Sequence, residues 1–345
     1  MTAREIIQKR LNHEGTDVTP YDIHIEPELE KRLAKFYNDP DWRAGKLREF
    51  TCSYMNVDNQ LLYWIDDKYQ KDAYGALWRM DKKPWHLEKP PLGEPTLDGY
   101  DFPGPEVFTK QIFENKTEAI KKYEANDEQY RLINMGWGIF EHTWRLRGFE
   151  NTLIDMIDNE DYYFEVTSLL TENYVKSIQA CADIPADAFL FGDDWGDQRG
   201  IIFGPTLWRK FLKPCWNKIY SEVHKQNKKV IHHSCGSVAE IYEDLIEIGM
   251  DCHESVQPEA AGMAPEILKE KWGDRMSFWG SLGSQGILND GTPDEIKREI
   301  FRLADLFKKD GGYVLAPAKP LVDNMDINRA VAVIEAFSQL AGPLS

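Results

Sequence analysis

Imidazole and thiol stand two residues apart at His233-Ser234-Cys235, directly after the run Lys229-Val230-Ile231-His232. Side chains of an extended segment alternate with period two, so His233 and Cys235 project from one face. Both are borderline-soft donors suited to Zn²⁺. The ordinary alternative for so short a pattern is a small buried thiol beside a hydrogen-bonded histidine. Asp193-Asp194, after Ala188-Phe189-Leu190-Phe191-Gly192, offers a general base, a substrate-orienting carboxylate or a metal ligand, or else a turn cap beside a solvated acid. Glu141-His142 follows the run at Leu132 and reads either as further acid–base chemistry or as a helix start, while Gln198 and Gln257 add amides in neighbouring loops. Trp137, Trp144, Trp195 and Trp279 lie close to these positions, as pocket lining or as core.

Chemistry spread over so many loops needs a frame that gathers strand ends. From about residue 129 short apolar runs alternate with helical spacing. Strands are expected near 131–135, 188–191, 229–232, 250–256, 276–279 and 313–315, and helices over 151–181, 205–223, 238–248, 265–271, 293–307 and 327–340. Two more strands are available upstream, at 50–52 and 61–64. Eight strands alternating with helices predict an α/β fold of the (β/α)₈ TIM-barrel type. A doubly wound open sheet would want an early glycine-rich phosphate turn, and no G-x-G-x-x-G follows an early strand. Barrel active sites lie at the C-terminal strand ends, where these polar residues fall. Residues 1–105 are irregular and aromatic-rich, closing in a proline- and glycine-rich run, and read as an elaboration on a single domain whose main barrel is 106–345. Gly280-x-x-Gly283-x-x-Gly286 reads as an anion loop or a plain turn.

The net charge of −17 repels phosphate backbones and anionic membranes, so nucleic acid and membrane are poor partners. No stretch approaches the roughly 20 apolar residues of a membrane helix, and no apolar leader is evident at the start. Five scattered cysteines point to a reducing, cytoplasmic compartment rather than a disulfide framework.

Gly192-Asp193-Asp194-Trp195-Gly196-x-Gln198-Arg199-Gly200, His233-Ser234-Cys235-Gly236, Val256-Gln257-Pro258-Glu259-Ala260, Phe278-Trp279-Gly280 and Tyr313-x-Leu315-Ala316-Pro317 together resemble the uroporphyrinogen decarboxylase superfamily from about residue 130 onward. The resemblance implies a (β/α)₈ barrel. True decarboxylases of that superfamily carry an R-Q-A-G-R stretch and an S-D-I segment near the N-terminus, and neither occurs in the first hundred residues here. The chain looks more like the corrinoid-dependent methyltransferase branch, in particular members grouped with O-demethylases. That likeness implies methyl transfer between a small methylated compound (ether, amine or thiol) and a corrinoid carried on a separate protein, since no D-x-H-x-x-G corrinoid signature is present. A metal-free decarboxylase and a non-catalytic binding protein are the alternatives. The resemblance further implies that His233 and Cys235 hold Zn²⁺; from their places at the strand ends, Asp193, Asp194, Gln198, Glu141 and Gln257 are expected as catalytic or orienting groups and Trp144, Trp195 and Lys319 at the substrate. The branch's later cysteine ligand would fall near Ala316-Pro317-Ala318-Lys319, which holds neither cysteine nor histidine. A third ligand is then expected from Glu141, one of Asp193-Asp194, or Cys252. Lys319 is expected to face the pocket and bind an anionic or electron-rich group.

Overall fold

A computed structural model describes residues 1–342. Strand β1 (Thr51–Asn56) is followed by four short strands, β2 (Tyr63–Trp64), β3 (Tyr69–Lys71), β4 (Leu77–Arg79) and β5 (His86–Lys89), which form an antiparallel sheet of their own. The remaining strands, β6 (Tyr130–Asn134), β7 (Ala188–Gly192), β8 (Lys229–His233), β9 (Cys252–Val256), β10 (Ser277–Leu282) and β11 (Tyr313–Pro317), join β1 in one parallel sheet ordered β1-β6-β7-β8-β9-β10-β11. Helices alternate with these strands, as a TIM-type barrel requires.

The eighth place in the wall is taken by residues 20–25, which run parallel to β11. Asp22 N–H donates to Leu315 O at 2.9 Å and Leu315 N–H to Pro20 O at 3.0 Å. Side chains carry the contact on toward β1: Arg43 donates to Ile23 O at 3.0 Å, and Tyr21 Oη accepts from Arg48 N–H at 2.8 Å. The expected strand at 61–64 is therefore not a barrel strand. Tyr63 and Trp64 are 53% and 59% exposed, whereas a barrel strand is covered on both faces. Part of the segment expected to be an elaboration thus supplies two places of the wall, and the antiparallel sheet is its only sheet outside it among the described residues.

The helices start where their caps dictate. Thr292 accepts from Glu295 N–H, with the Glu295 carboxylate returning to Thr292 N–H, and Pro293 occupies the first turn, so the helix runs Pro293–Phe307. Pro105, Pro205 and Pro265 open helices in the same way. The helix Pro105–Ala125 was not expected. No helix of the described residues is long and apolar enough to cross a membrane.

Candidate functional site

His233 ends β8, and its register partner in β9 is Glu254. Parallel pairing sets the two side chains beside each other, and His233 Nδ1 is hydrogen-bonded to the Glu254 carboxylate. A carboxylate accepts only, so Nδ1 carries the proton and Nε2 faces the other way. Nε2 lies 3.4 Å from Cys235 Sγ and 3.6 Å from Asp194 Oδ1. Asp194 Oδ1 also accepts from Cys235 N–H at 2.8 Å, which ties the loop after β7 to the loop after β8. One ligand atom each from Asp194, His233 and Cys235 fit within 4.8 Å of one another. Burial alone would lower the His233 pKa, but the charges of Glu254 and Cys235 outweigh it and raise it well above 6.5.

Lys319 does face this site, donating from Nζ to Cys235 Sγ at 2.8 Å. Burial pulls its pKa down, yet the thiol's charge and hydrogen bond raise it overall. Of the expected third ligands, Asp194 is the one in the cluster. Cys252 is fully buried at the start of β9, its thiol turned to its own backbone neighbourhood.

Asp193 points the other way. Its carboxylate, fully buried, accepts from Phe140 N–H (3.1 Å), Glu141 N–H (3.0 Å) and Trp195 Nε1 (2.8 Å), capping the helix Ile139–Arg147. Burial raises the pKa of both Asp193 and Glu141. Three N–H donors favour the charge on Asp193, so the proton of the pair sits on Glu141, which accepts only a 3.3 Å contact from Gly138 N–H. Gln257 is buried and accepts from Gly236 N–H at 3.1 Å, bracing the loop that carries Cys235. Two expected site residues lie elsewhere. Gln198 is exposed on a turn organised by Asp197, which accepts from Arg199 N–H and Gly200 N–H, and it lines none of the cavities described below. Trp195 is core rather than substrate lining: its ring stacks 4.4 Å from His232 and its N–H is satisfied by Asp193. The glycine loop after β10 is occupied by the Glu259 side chain from the loop after β9, whose Oε1 accepts from Gln285 N–H and Gly286 N–H at 2.9 Å each.

Beneath the cluster His253 is fully buried, with Nε2 donating to Ser234 O (3.0 Å) and Nδ1 accepting from Tyr242 Oη (2.7 Å). Burial depresses its pKa to about 4. A depressed folded value means that the unfolded chain binds the extra proton, so this contribution is complete above pH ~6.5 and is lost as the pH falls toward 4, by about 3 kcal/mol. Denaturant unfolding at pH 6.5 and 4.5 is expected to show this acid-side loss, and His253→Gln to make it smaller, with the buried His142 and His232 still contributing in the same direction. An equal slope in wild type and variant would remove His253 as its source.

Three cavities meet the cluster. The first, about 530 Å³, opens into the barrel and is lined by His233, Glu254 and Lys319 together with His24, Arg43, Cys52, Ser53, Asn56, Asn134 and Trp279. A second of about 290 Å³ lies over Trp137, Glu141, Asp194, His233 and Glu254. A third of about 550 Å³ lies toward the antiparallel sheet and includes Trp144, Trp137, Glu141 and Asp194. Neither Glu254 nor the N-terminal lining residues stand out by local spacing in the sequence. Glu254 was detectable as the acid on the strand neighbouring His233, but only with the register known.

The family model of uroporphyrinogen decarboxylase (URO-D) matches residues 88–340. No curated protein matches the sequence. A solved methyltransferase from Methanosarcina mazei superimposes with a TM-score of 0.69, covering 98% of this chain and 99% of that one at 19% identity, a likeness of fold. An endo-beta-mannanase/endo-beta-glucanase of Prevotella bryantii (TM-score 0.38, 12% identity, 68% of this chain and 39% of that one) is far more distant. So is a sugar phosphate isomerase/epimerase of Parabacteroides distasonis (0.32, 10%, 68% and 91%).

Proposed function

Because the chain belongs to the uroporphyrinogen decarboxylase family, we propose that it moves a methyl group between a small methylated substrate and a corrinoid carried on a separate protein. The observation that carries this reading is the gathering of Asp194, His233 and Cys235 at the strand ends, where three protein donors of O, N and S type leave a fourth position for substrate. The donor set fits Zn²⁺. Bound there, the ion supplies Lewis acidity toward the substrate's heteroatom or holds its thiolate.

The chain's own residues then have distinct tasks. Glu254 fixes the His233 ring so that Nε2 faces Cys235. Lys319 donates to the Cys235 sulfur and holds that side chain beside His233 and Asp194. Glu141, protonated by burial beside Asp194, provides the proton that a departing heteroatom needs once its methyl has left. The small methylated substrate occupies the cavities over Asp194, and the corrinoid protein approaches the same mouth. Decarboxylation of a porphyrinogen is the alternative. The cavity inside the barrel mixes the acids Asp22, Glu49 and Glu254 with Arg43, Lys319 and the histidines His24 and His233, rather than the arginine-rich lining that a ligand of many carboxylates needs.

Elemental analysis is expected to find about one zinc per chain. Glu254→Ala removes the group that orients His233 and is expected to weaken zinc binding about ten- to a hundredfold, read by competition with a chromophoric chelator. Unchanged affinity would mean that His233 is not a ligand.

A further inference from the structure

We propose that the cavity between the antiparallel sheet and the barrel mouth binds a planar aromatic carboxylate, whose anion pairs with Arg145 and whose ring lies among tryptophans. This deepens the methyl-transfer reading, on which the placement of the ligand's methylated end rests.

Arg145 sits on the helix Ile139–Arg147 and is 1% exposed. Among the described residues no carboxylate lies within 4 Å of its guanidinium. Other buried arginines have their donors satisfied, by a carboxylate or by a set of carbonyls. Arg147, two residues on, is paired with Asp155 at 2.7 Å and donates to Leu92 O. Arg10 donates to Thr16 Oγ1 and to four backbone carbonyls. Arg145 has only the Gln60 amide, whose oxygen, oriented by this network, accepts from Nη1 and Nη2 at 3.0 Å each. Its Nε–H has no acceptor. A guanidinium carries five donors, so Nε–H and a terminal N–H remain free for an acceptor with two oxygens in one plane.

An unpaired buried charge is costly, and the surrounding rings offset it only in part. The guanidinium carbon lies 3.9 Å from the Trp137 ring centroid, 5.1 Å from that of Trp78 and 5.7 Å from that of Trp144. The nearest acids are weak counter-charges. Glu141 lines the same cavity, Asp72 accepts from Trp78 Nε1, and burial shifts both toward their neutral forms. An aromatic cage often takes a quaternary ammonium, but here Arg145 already occupies the faces of the rings and repels a second cation. The complement of this cavity is an anion on a flat apolar body. Trp78, Trp85, Trp137, Trp144 and Phe140 supply flat walls around about 550 Å³. Trp137, Glu141 and Asp194 also line the smaller cavity over His233, so a ring anchored at Arg145 directs its far edge toward the metal cluster.

The test uses benzoate and benzamide, which share a shape and differ in charge, titrated calorimetrically into the purified protein at fixed ionic strength. Benzoate is expected to bind roughly tenfold or more tighter than benzamide. Arg145→Met is expected to abolish that preference while leaving benzamide binding unchanged, and Arg145→Lys to keep part of it. Cys235→Ser is expected to retain it in full, because neither metal nor corrinoid takes part. A wild-type protein that binds the two probes equally overturns the proposal without the need for any variant. A preference that survives in Arg145→Met, or disappears in Cys235→Ser, also overturns it, by placing the anion at Lys319 or at the metal. Failure of methyl transfer, by contrast, leaves the benzoate preference in place.

Discussion

Cys235→Ser is expected to lose bound zinc and to lower methyl transfer about a hundredfold or more, some 2.7 kcal/mol of transition-state stabilisation. Serine replaces a soft anionic donor by a hydroxyl that stays protonated at neutral pH, while the loop around it is held by backbone contacts that survive the change. Asp194 Oδ1 accepts from the Cys235 N–H, and Gln257 accepts from the Gly236 N–H. The loss should therefore occur in a folded protein, with an unfolding midpoint close to wild type. Cys252→Ser is the matched control, since that thiol is buried away from the cluster, and zinc content is expected to be unaffected by it. Zinc retained in Cys235→Ser would remove the sulfur from the site.

The second large effect is expected at Gly138, the residue that caps the helix Ile139–Arg147. A Cβ there would overlap Asp193 Cβ and Cγ and the Gly192 carbonyl oxygen. None of these can yield cheaply: Asp193 is fixed by three N–H donors, and Gly192 pairs in the sheet with His233. Gly138→Ala is expected to destabilise the fold by about 3 kcal/mol or more, through overpacking together with disruption of the cap. Because Asp194 is the next residue, zinc affinity should fall as well. Gly45→Ala, where a Cβ meets nothing within 4 Å, should change stability by no more than about 1 kcal/mol. Denaturant unfolding of the two variants side by side reads the difference, and a Gly138→Ala protein as stable as Gly45→Ala would refute the steric argument.

The strand–helix units beyond residue 129 are legible because most strands carry a short apolar core, such as Ala188–Phe191 or Tyr313–Leu315, between turn residues, and because prolines and capping boxes mark the helix starts. Upstream the signals fail for physical reasons. The strands β2 to β5 are two to four residues long and partly exposed, so no periodicity develops. Residues 20–25 enter the barrel through a few hydrogen bonds to β11 rather than a ladder. The helix Pro105–Ala125 buries only Phe108, Ile112, Ala119 and Tyr123 along 21 residues, too sparse a stripe to stand out.

In the site, the His233–Cys235 pair could be read from local spacing, and Lys319 from its place after the last strand. Asp193 and Asp194 could not be told apart, since adjacent residues on an irregular loop point to opposite sides for reasons that lie in the packing. Trp195 and Trp144 carried the same residue type into opposite environments, core and cavity. Glu254 depends on the register between β8 and β9, and Arg145 on what the antiparallel sheet lays over its helix. Both are facts of tertiary structure.

Methyl transfer at the Asp194–His233–Cys235 cluster is tested most directly by mixing the zinc-loaded protein with cob(I)alamin and a panel of methyl ethers, methylamines and methylated thiols. Loss of the cob(I)alamin absorbance with formation of methylcobalamin is expected for one class of donor, with wild type but not with Cys235→Ser, while uroporphyrinogen is left unchanged. Decarboxylation of uroporphyrinogen by wild type and Cys235→Ser alike, with no methylcobalamin from any donor, would contradict the account.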